Sequence, residues 1–202
     1  MIAVVSYGVC NLGSMLNMLR KINVEACEAS TPAAIEKAEK IVLPGIGAFD
    51  NGIKALNALG LAEPLRDRVV NGKVPILGVC LGMQLLGTGS EEGVQAGLGL
   101  IQGGCVKLRP PEGVGVKIPH MGWNTVHPKK AGPLLEKLDA PRFYFVHSYH
   151  LLCKDPTDVL ATAHYGMDFT VMVQRGNIYG AQFHPEKSHR YGMTLLGNFA
   201  GV

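Results

Sequence analysis

The chain alternates between short, continuously apolar runs and longer stretches in which apolar residues recur every three or four positions. The apolar runs predict buried strands, at 2–5, 40–43 and 74–79. The spaced pattern predicts helices, at 12–22, 51–61, 62–71 and from 83 onward. Thr31 and Pro32 predict a further helix start, because threonine suits the N-cap and proline the first helical position. This order predicts a three-layer α/β fold with a central, mostly parallel sheet.

The second half of the chain has a different pattern, in which turn-forming residues separate short strand candidates. These lie at 106–108, 125–126, 142–146, 159–163, 169–173 and 178–183. They predict antiparallel strands that continue the same sheet, followed by an amphipathic helix at 191–200. A length of 202 residues suits one domain spanning 1–202.

Composition and charge exclude several classes of function. The net charge of +3 is spread over 19 basic and 16 acidic residues, and the longest basic cluster is Lys129-Lys130, so nucleic-acid binding is not indicated. No apolar run approaches the roughly 18 residues of a membrane span. The five cysteines form no CxxC pair, which argues against a disulfide framework or a zinc site and favours a reducing cytoplasm. We expect no metal and no cofactor.

One cysteine lies in a setting typical of a nucleophile. Cys80 follows a predicted strand, precedes a predicted helix and is flanked by Gly78 and Gly82, which is the elbow pattern of α/β hydrolases with cysteine in the serine position. The helix start favours a thiolate, and the N–H of Leu81 would face an oxyanion. The alternative is a buried structural cysteine. Cys10, beside a glycine turn, is the weaker candidate.

A histidine near the C-terminus is the candidate base. His184 ends an apolar strand and is followed by Pro185 and Glu186. In an extended chain residues i and i+2 face the same way, so Glu186 could hold one imidazole nitrogen and leave the other for the cysteine. A surface turn after a strand is the alternative. His147 and His150 lack an acidic neighbour within two residues, and we expect them to line a pocket or to be structural.

These motifs resemble those of a known family. The segments that carry the resemblance are 7–14, 44–49, 78–84 (GVCLGMQ), 119–124 (PHMGWN) and 183–188 (FHPEKS). The chain resembles the class I glutamine amidotransferases and, more narrowly, the glutaminase subunits of imidazole glycerol phosphate synthase in histidine biosynthesis. The resemblance covers nearly the whole chain and implies a flavodoxin-like fold. Ser6 and Cys10 depart from the pattern, which has an acid and a glycine there, but both lie away from the triad.

The resemblance implies a glutaminase reaction. Cys80 would attack the side-chain amide of glutamine, form a glutamyl thioester and release ammonia. Gln84, Gly45 and backbone groups near Ser148 and Tyr149 would bind the substrate.

The resemblance also implies an oxyanion hole that is completed by a conformational change. Its donors would be the N–H of Leu81 and the turn that contains Ile46 and Gly47. In the family this turn is thought to need a peptide flip before the hole is complete.

The resemblance further implies a partner. Ammonia would pass to a (β/α)8-barrel cyclase subunit, in a heterodimer that makes imidazole glycerol phosphate and an aminoimidazole carboxamide ribotide. The predicted interface residues are Asn11, Pro119, His120, Met121, Gly122, Trp123 and Asn124. Independently of the resemblance, we expect no further domain in this sequence that could use ammonia. We also expect Trp123 to lie in a loop bounded by proline and glycine, where it suits an interface anchor. A plain core aromatic is the alternative.

Three other functions are considered. A stand-alone cysteine hydrolase of the same fold would need neither Gln84 nor the 119–124 segment. Glutaminase subunits that serve anthranilate, carbamoyl phosphate or guanine nucleotide synthesis would share the triad but not the specific loops. A regulatory protein with a degenerate site is disfavoured because nucleophile, base and acid are all present.

Overall fold

The computed structural model describes residues 1–202 and contains twelve strands and six α-helices. The strands are β1 (Ile2–Val5), β2 (Ala26–Ala29), β3 (Lys40–Gly45), β4 (Ile76–Cys80), β5 (Gly103–Lys107), β6 (His120–Thr125), β7 (His127–Pro128), β8 (Arg142–His147), β9 (Tyr149–Cys153), β10 (Val159–His164), β11 (Asp168–Arg175) and β12 (Ile178–Ala181). The helices are α1 (Leu12–Lys21), α2 (Pro32–Glu36), α3 (Phe49–Ala58), α4 (Ala62–Val70), α5 (Leu81–Leu85) and α6 (His189–Ala200).

Eight of the strands form one sheet in the order β2-β1-β3-β4-β12-β11-β10-β7. The first five are parallel to one another, and the last three continue the sheet in antiparallel pairing. Two small antiparallel pairs, β5–β9 and β6–β8, lie outside it. The prediction of a mostly parallel α/β sheet with antiparallel strands in the second half is confirmed.

Helices cover both faces of this sheet. Consecutive residues of β1 point to opposite layers, since Ala3 and Val5 pack in one core cluster while Ile2 and Val4 pack in the other. The first cluster includes the buried faces of α2 to α5, and the second includes those of α1 and α6. The predicted three layers follow from this arrangement. None of the helices is both long and apolar enough to cross a membrane.

Several elements differ from the sequence predictions. Strand β2 was missed because its sequence, ACEA, is short and half-buried at the sheet edge, with no apolar run. Strand β3 continues through Pro44 and Gly45, which were expected in a turn, because both pair with β4. The loop prediction for 119–124 is wrong, since β6 pairs with β8 along its whole length. Its pattern hid the strand, because the apolar Met121 and Trp123 face outward while His120 is buried.

Helix α6 approaches the segment after β12 so closely that a glycine is required at the contact. A Cβ on Gly192 would lie 1.8 Å from the carbonyl oxygen of Pro185, the residue between the candidate base and its acid. Further along the same helix, a Cβ on Gly197 would meet only Ile22 Cδ1, at 4.0 Å. A methyl group would therefore clash with backbone at Gly192 but would fit without a clash at Gly197.

We predict that Gly192→Ala lowers the free energy of unfolding by about 3 kcal/mol, because either the helix or the 184–187 segment must move. Gly197→Ala is the matched control, and it should leave stability unchanged or raise it by up to about 1 kcal/mol, since alanine favours a helix interior. Urea denaturation followed by circular dichroism measures both. Equal stability of the two variants would contradict the close packing of α6.

Candidate active site

Cys80 occupies a strained turn at the carboxyl edge of the sheet. It is the last residue of β4 and the N-cap of α5, with φ 54° and ψ −112°. A positive φ is costly for a residue with a side chain and persists only where the surroundings enforce it. The strained elbow expected from the sequence is therefore present, with a buried sulfur at the start of a helix.

The flanking glycines allow this turn by letting backbones touch. A Cβ on Gly82 would lie 1.7 Å from the carbonyl oxygen of Leu43 in the neighbouring strand β3. A Cβ on Gly78 would lie 2.7 Å from the carbonyl oxygen of Gly82. Any side chain at either position would push α5 away from β3 and β4, and would move Cys80 with it.

His184 and Glu186 form a buried pair behind the pocket. His184 Nδ1 lies 2.8 Å from Glu186 Oε1, and the two side chains are only 3% and 4% exposed. The sequence argument placed them side by side on an extended chain. Their proximity is observed, but the extended backbone is wrong, because residues Pro185–Lys187 form a 3-10 turn.

The backbone of His184 is joined to β8 directly at Tyr144 and indirectly through the Ser188 side chain. Its N–H donates to the Tyr144 carbonyl at 2.9 Å, and its own carbonyl accepts from Ser188 Oγ at 2.6 Å. Ser188 Oγ in turn accepts from the Tyr144 N–H at 3.0 Å. Sequence reasoning assigned no role to Ser188, and the only signal was its place in the FHPEKS segment.

The surroundings favour a charged imidazole. Burial acts to lower the pKa of His184, but its interactions with Cys80 and with the Glu186 carboxylate, which accepts from Nδ1, raise it well above its ordinary value. Nε2, the nitrogen that Glu186 leaves free, has no hydrogen-bond partner. The site therefore favours a protonated imidazole facing the Cys80 pocket, with the Glu186 carboxylate fixing the ring.

A cavity of about 290 Å³ brings most of the predicted residues together. Its lining residues are Ile46, Gly47, Cys80, Leu81, Gln84, Glu92, Pro119, Val146, His147, Ser148, Tyr149 and His184. The predicted nucleophile, base, oxyanion donors and most substrate residues thus share one pocket at the carboxyl ends of the parallel strands, where α/β sheets bind ligands. His147 lines the pocket as expected. Glu186 lies behind His184 and is not part of the lining.

Gly45, predicted to bind substrate, lies beneath the pocket rather than in its wall. A Cβ there would lie 2.5 Å from Tyr7 Oη and 2.9 Å from Leu81 Cβ. Tyr7 Oη donates to the Pro44 carbonyl at 2.7 Å, which fixes the end of β3. The structure therefore gives Gly45 a packing reason for being glycine, with any substrate contact limited to its backbone.

One predicted oxyanion donor is already engaged. The Ile46 N–H donates to the Val9 carbonyl at 2.9 Å, so it does not face the pocket. Gly47 follows with φ +90°, a conformation that glycine adopts without strain. In this state Ile46 does not offer the second donor that the predicted oxyanion hole would need beside the Leu81 N–H.

Two buried glutamines connect the pocket wall to the nucleophile. Gln84 Nε2 donates to the Tyr149 carbonyl at 3.0 Å and to Gln182 Oε1 at 3.1 Å. Gln182 Nε2 lies 4.0 Å from Cys80 Sγ and donates toward it. Gln182 was not predicted. The available signal was a polar residue inside an otherwise apolar strand, two positions before His184.

The pocket also contains a carboxylate that sequence reasoning missed. Glu92 lines the cavity, and its Oε2 accepts from the Phe49 N–H at 2.8 Å. The segment around it is rich in glycine and has no periodic pattern, so nothing local in the sequence pointed to it.

The predicted interface residues divide into two sets. Met121 and Trp123 are 60% and 41% exposed, and Trp123 stacks on His189 with ring centroids 5.6 Å apart. Asn11 and Pro119 are also exposed. The His120 side chain is buried, so its predicted place at an interface would involve its backbone alone. Asn124 is half-buried, with its amide bonded to the His164 carbonyl.

The glutamine amidotransferase class-I family model matches residues 5–200, and the chain belongs to that family. Within it, the chain is 47% identical to the imidazole glycerol phosphate synthase subunit HisH 2 of Pseudomonas aeruginosa and 48% identical to that of Methanococcus maripaludis, each match covering 98% of both chains. A solved structure titled as a glutamine amidotransferase matches the fold, with a TM-score of 0.73, 21% identity and coverage of 100% of this chain and 99% of that one.

We predict that Cys80→Ala lowers the pKa of His184, because removing the Cys80 side chain removes an interaction that raises this pKa while burial still lowers it. An NMR pH titration of the imidazole resonances measures the change. Cys105→Ala, which removes another buried thiol, should leave the His184 titration unchanged. An unaltered titration in Cys80→Ala would show that the two side chains do not interact.

Proposed function

We propose that this chain is the glutaminase subunit of an imidazole glycerol phosphate synthase, and that it hydrolyses glutamine to glutamate and ammonia for histidine biosynthesis. The observation that carries the proposal is the strained Cys80 turn sharing one pocket with the buried His184–Glu186 pair. Full-length similarity to HisH subunits supports the pathway.

The geometry supports a two-step acyl transfer. The Cys80 thiolate attacks the amide carbon of glutamine, and the Leu81 N–H stabilises the resulting oxyanion. Protonated His184 then gives its proton to the departing ammonia, leaving a glutamyl thioester. Neutral His184 takes a proton from water, which attacks the thioester and releases glutamate. Glu186 keeps the ring oriented throughout.

The pocket suits the charged end of glutamine as well as its amide. We assign Glu92 to the α-ammonium group, because it is the only carboxylate in the lining and its position is fixed by the Phe49 N–H. Gln84 uses both amide hydrogens within the protein, which leaves its Oε1 as an acceptor for substrate. The Tyr149 carbonyl already accepts two bonds, from Gln84 and His147, so this segment binds substrate through other atoms.

We predict that Glu92→Gln raises the KM for glutamine roughly tenfold to a hundredfold, since the ammonium loses a charged partner worth about 1.5–3 kcal/mol. The kcat should change much less, because the reacting atoms are untouched. Glu91→Gln is the matched control, as Glu91 pairs with Arg109 outside the pocket and should leave KM as it is. Equal KM values for the two variants would remove Glu92 from the substrate site.

The state of the oxyanion turn supports a partner-dependent enzyme. With the Ile46 N–H bonded to Val9, the second donor reaches the oxyanion only after the peptide turns over. We propose that a (β/α)8-barrel cyclase subunit docks over Met121, Trp123 and the neighbouring mouth of the pocket, forms a heterodimer and receives the ammonia. Ile46 is itself 47% exposed, within reach of such a partner. We place the complex in the cytoplasm, where the five unpaired thiols are stable.

We predict slow glutamate release by the isolated chain and a rise of about a hundredfold or more with a ligand-bound cyclase subunit, because one oxyanion donor is worth roughly 10²–10³ in rate. An enzymatic glutamate assay with and without the partner measures this. Cys80→Ala should release no glutamate under either condition. Equal rates with and without partner would contradict the gated oxyanion hole, and an active Cys80→Ala would contradict the nucleophile.

A further inference from the structure

Two histidines and an asparagine outside the triad form a chain of hydrogen bonds that ends at the pocket. Asn124 Nδ2 lies 3.3 Å from His120 Nε2, and His120 Nδ1 lies 3.0 Å from His147 Nε2. His147 Nδ1 lies 2.9 Å from the Tyr149 carbonyl oxygen. The chain therefore runs from strand β6, through β8, to the first residue of β9.

The direction of every bond in this chain is determined by its two ends. A carbonyl oxygen only accepts, so at one end His147 Nδ1 must carry a proton. At the other end the Asn124 Nδ2 group, oriented by its bond to the His164 carbonyl, donates to His120 Nε2. His120 Nδ1 must then carry the proton and donate to His147 Nε2, which accepts. Both imidazoles are consequently neutral and share one tautomer, with the proton on Nδ1.

The environment of the two rings maintains this state. Burial lowers the pKa of His120 to about 4, and burial also lowers the pKa of His147 to about 3, against the opposing effect of the Tyr149 carbonyl. His120 is stacked between Phe145 and Tyr165, with ring centroids 4.7 Å and 4.2 Å away. Neither ring can be protonated without placing two N–H groups against each other.

The same chain continues into the catalytic pocket through amide groups. The Tyr149 carbonyl accepts from Gln84 Nε2 as well as from His147, and Gln84 Nε2 also donates to Gln182 Oε1. These bonds fix the orientation of the Gln84 and Gln182 side-chain amides. The Gln84 Oε1 remains an acceptor for the proposed substrate, and Gln182 turns its N–H toward Cys80 Sγ.

We propose that His120 and His147 are positioning residues for the glutamine site. As neutral Nδ1–H tautomers they hold the Tyr149 carbonyl, and through it they set the orientation of the Gln84 and Gln182 amides. This inference rests on the proposed function, because its kinetic consequence is measured on glutamine. Its structural content, the two tautomers and the direction of the bonds, does not depend on turnover.

The tautomers are tested on the whole chain with ¹⁵N-labelled histidine. Long-range ¹H–¹⁵N correlation spectra at neutral pH distinguish Nδ1–H, Nε2–H and doubly protonated rings, and the His120→Phe and His147→Leu variants assign the two signals. Both residues should show the Nδ1–H form. An Nε2–H tautomer or an imidazolium at either position would overturn the proposal.

The positioning role is tested by glutaminase kinetics with the cyclase partner present. His147→Leu should raise the KM for glutamine at least fivefold with a smaller change in kcat, because the triad remains intact. His147→Asn should recover most of the loss, since the asparagine amide places an N–H close to the position of Nδ1. A KM within twofold of the unsubstituted protein for His147→Leu, or no recovery in His147→Asn, would overturn the role.

A neighbouring histidine provides the control. His150 is also buried, lies on β9 one residue from Tyr149, and has no hydrogen-bond partner on either ring nitrogen. His150→Leu should leave the KM unchanged, whereas an equal rise in KM would reduce the His147 effect to general packing and overturn the proposal. If the unsubstituted complex releases no glutamate, the proposed function fails, while the NMR result still decides the tautomers.

Discussion

The close contact between backbones around Cys80 is the constraint on which the site depends. Strand β3, strand β4 and the start of α5 approach one another so closely that Gly78 and Gly82 have no room for a side chain. This contact holds Cys80 at a positive φ and aims its sulfur out of the sheet edge. The packing of the two buried layers, with Cys80 in one and Leu81 in the other, holds this strained turn in place on the central strand of the sheet.

The order of the strands then brings the rest of the chemistry to the same point. Strand β12 lies beside β4 in parallel register, with Ala181 opposite Val79, so the residues after β12 come level with Cys80. Strand β3 lies on the other side, with Gly45 opposite Cys80. The nucleophile, the glutamine that donates toward it and the oxyanion turn thus come from three adjacent strands, although Cys80 and Gln182 are 102 positions apart in sequence.

The sequence was most informative where a local pattern carries a physical requirement. Glycines around Cys80 and an acid two residues from His184 are such patterns, and they identified the residues that the structure brings together. Gln182, Glu92 and Ser188 escaped because their roles come from contacts with distant segments. Strand β6 escaped for a related reason. Its inward positions carry His120 and Asn124 instead of aliphatic residues, so the alternation that marks a strand was masked by a polar network.

In the proposed partner-dependent enzyme, the bond between the Ile46 N–H and the Val9 carbonyl is one restraint on the switch. A single backbone hydrogen bond contributes about 1 kcal/mol net, so this bond supplies only part of the roughly hundredfold preference for the closed peptide that the proposed partner dependence requires. A partner that prefers the open peptide by a few kcal/mol would therefore reverse the two populations. Because this part of the restraint is one hydrogen bond, the glutamine consumed at rest should respond to small changes in the Val9 and Ile46 segments, and natural variation there would adjust how much nitrogen the cell loses when no acceptor is present.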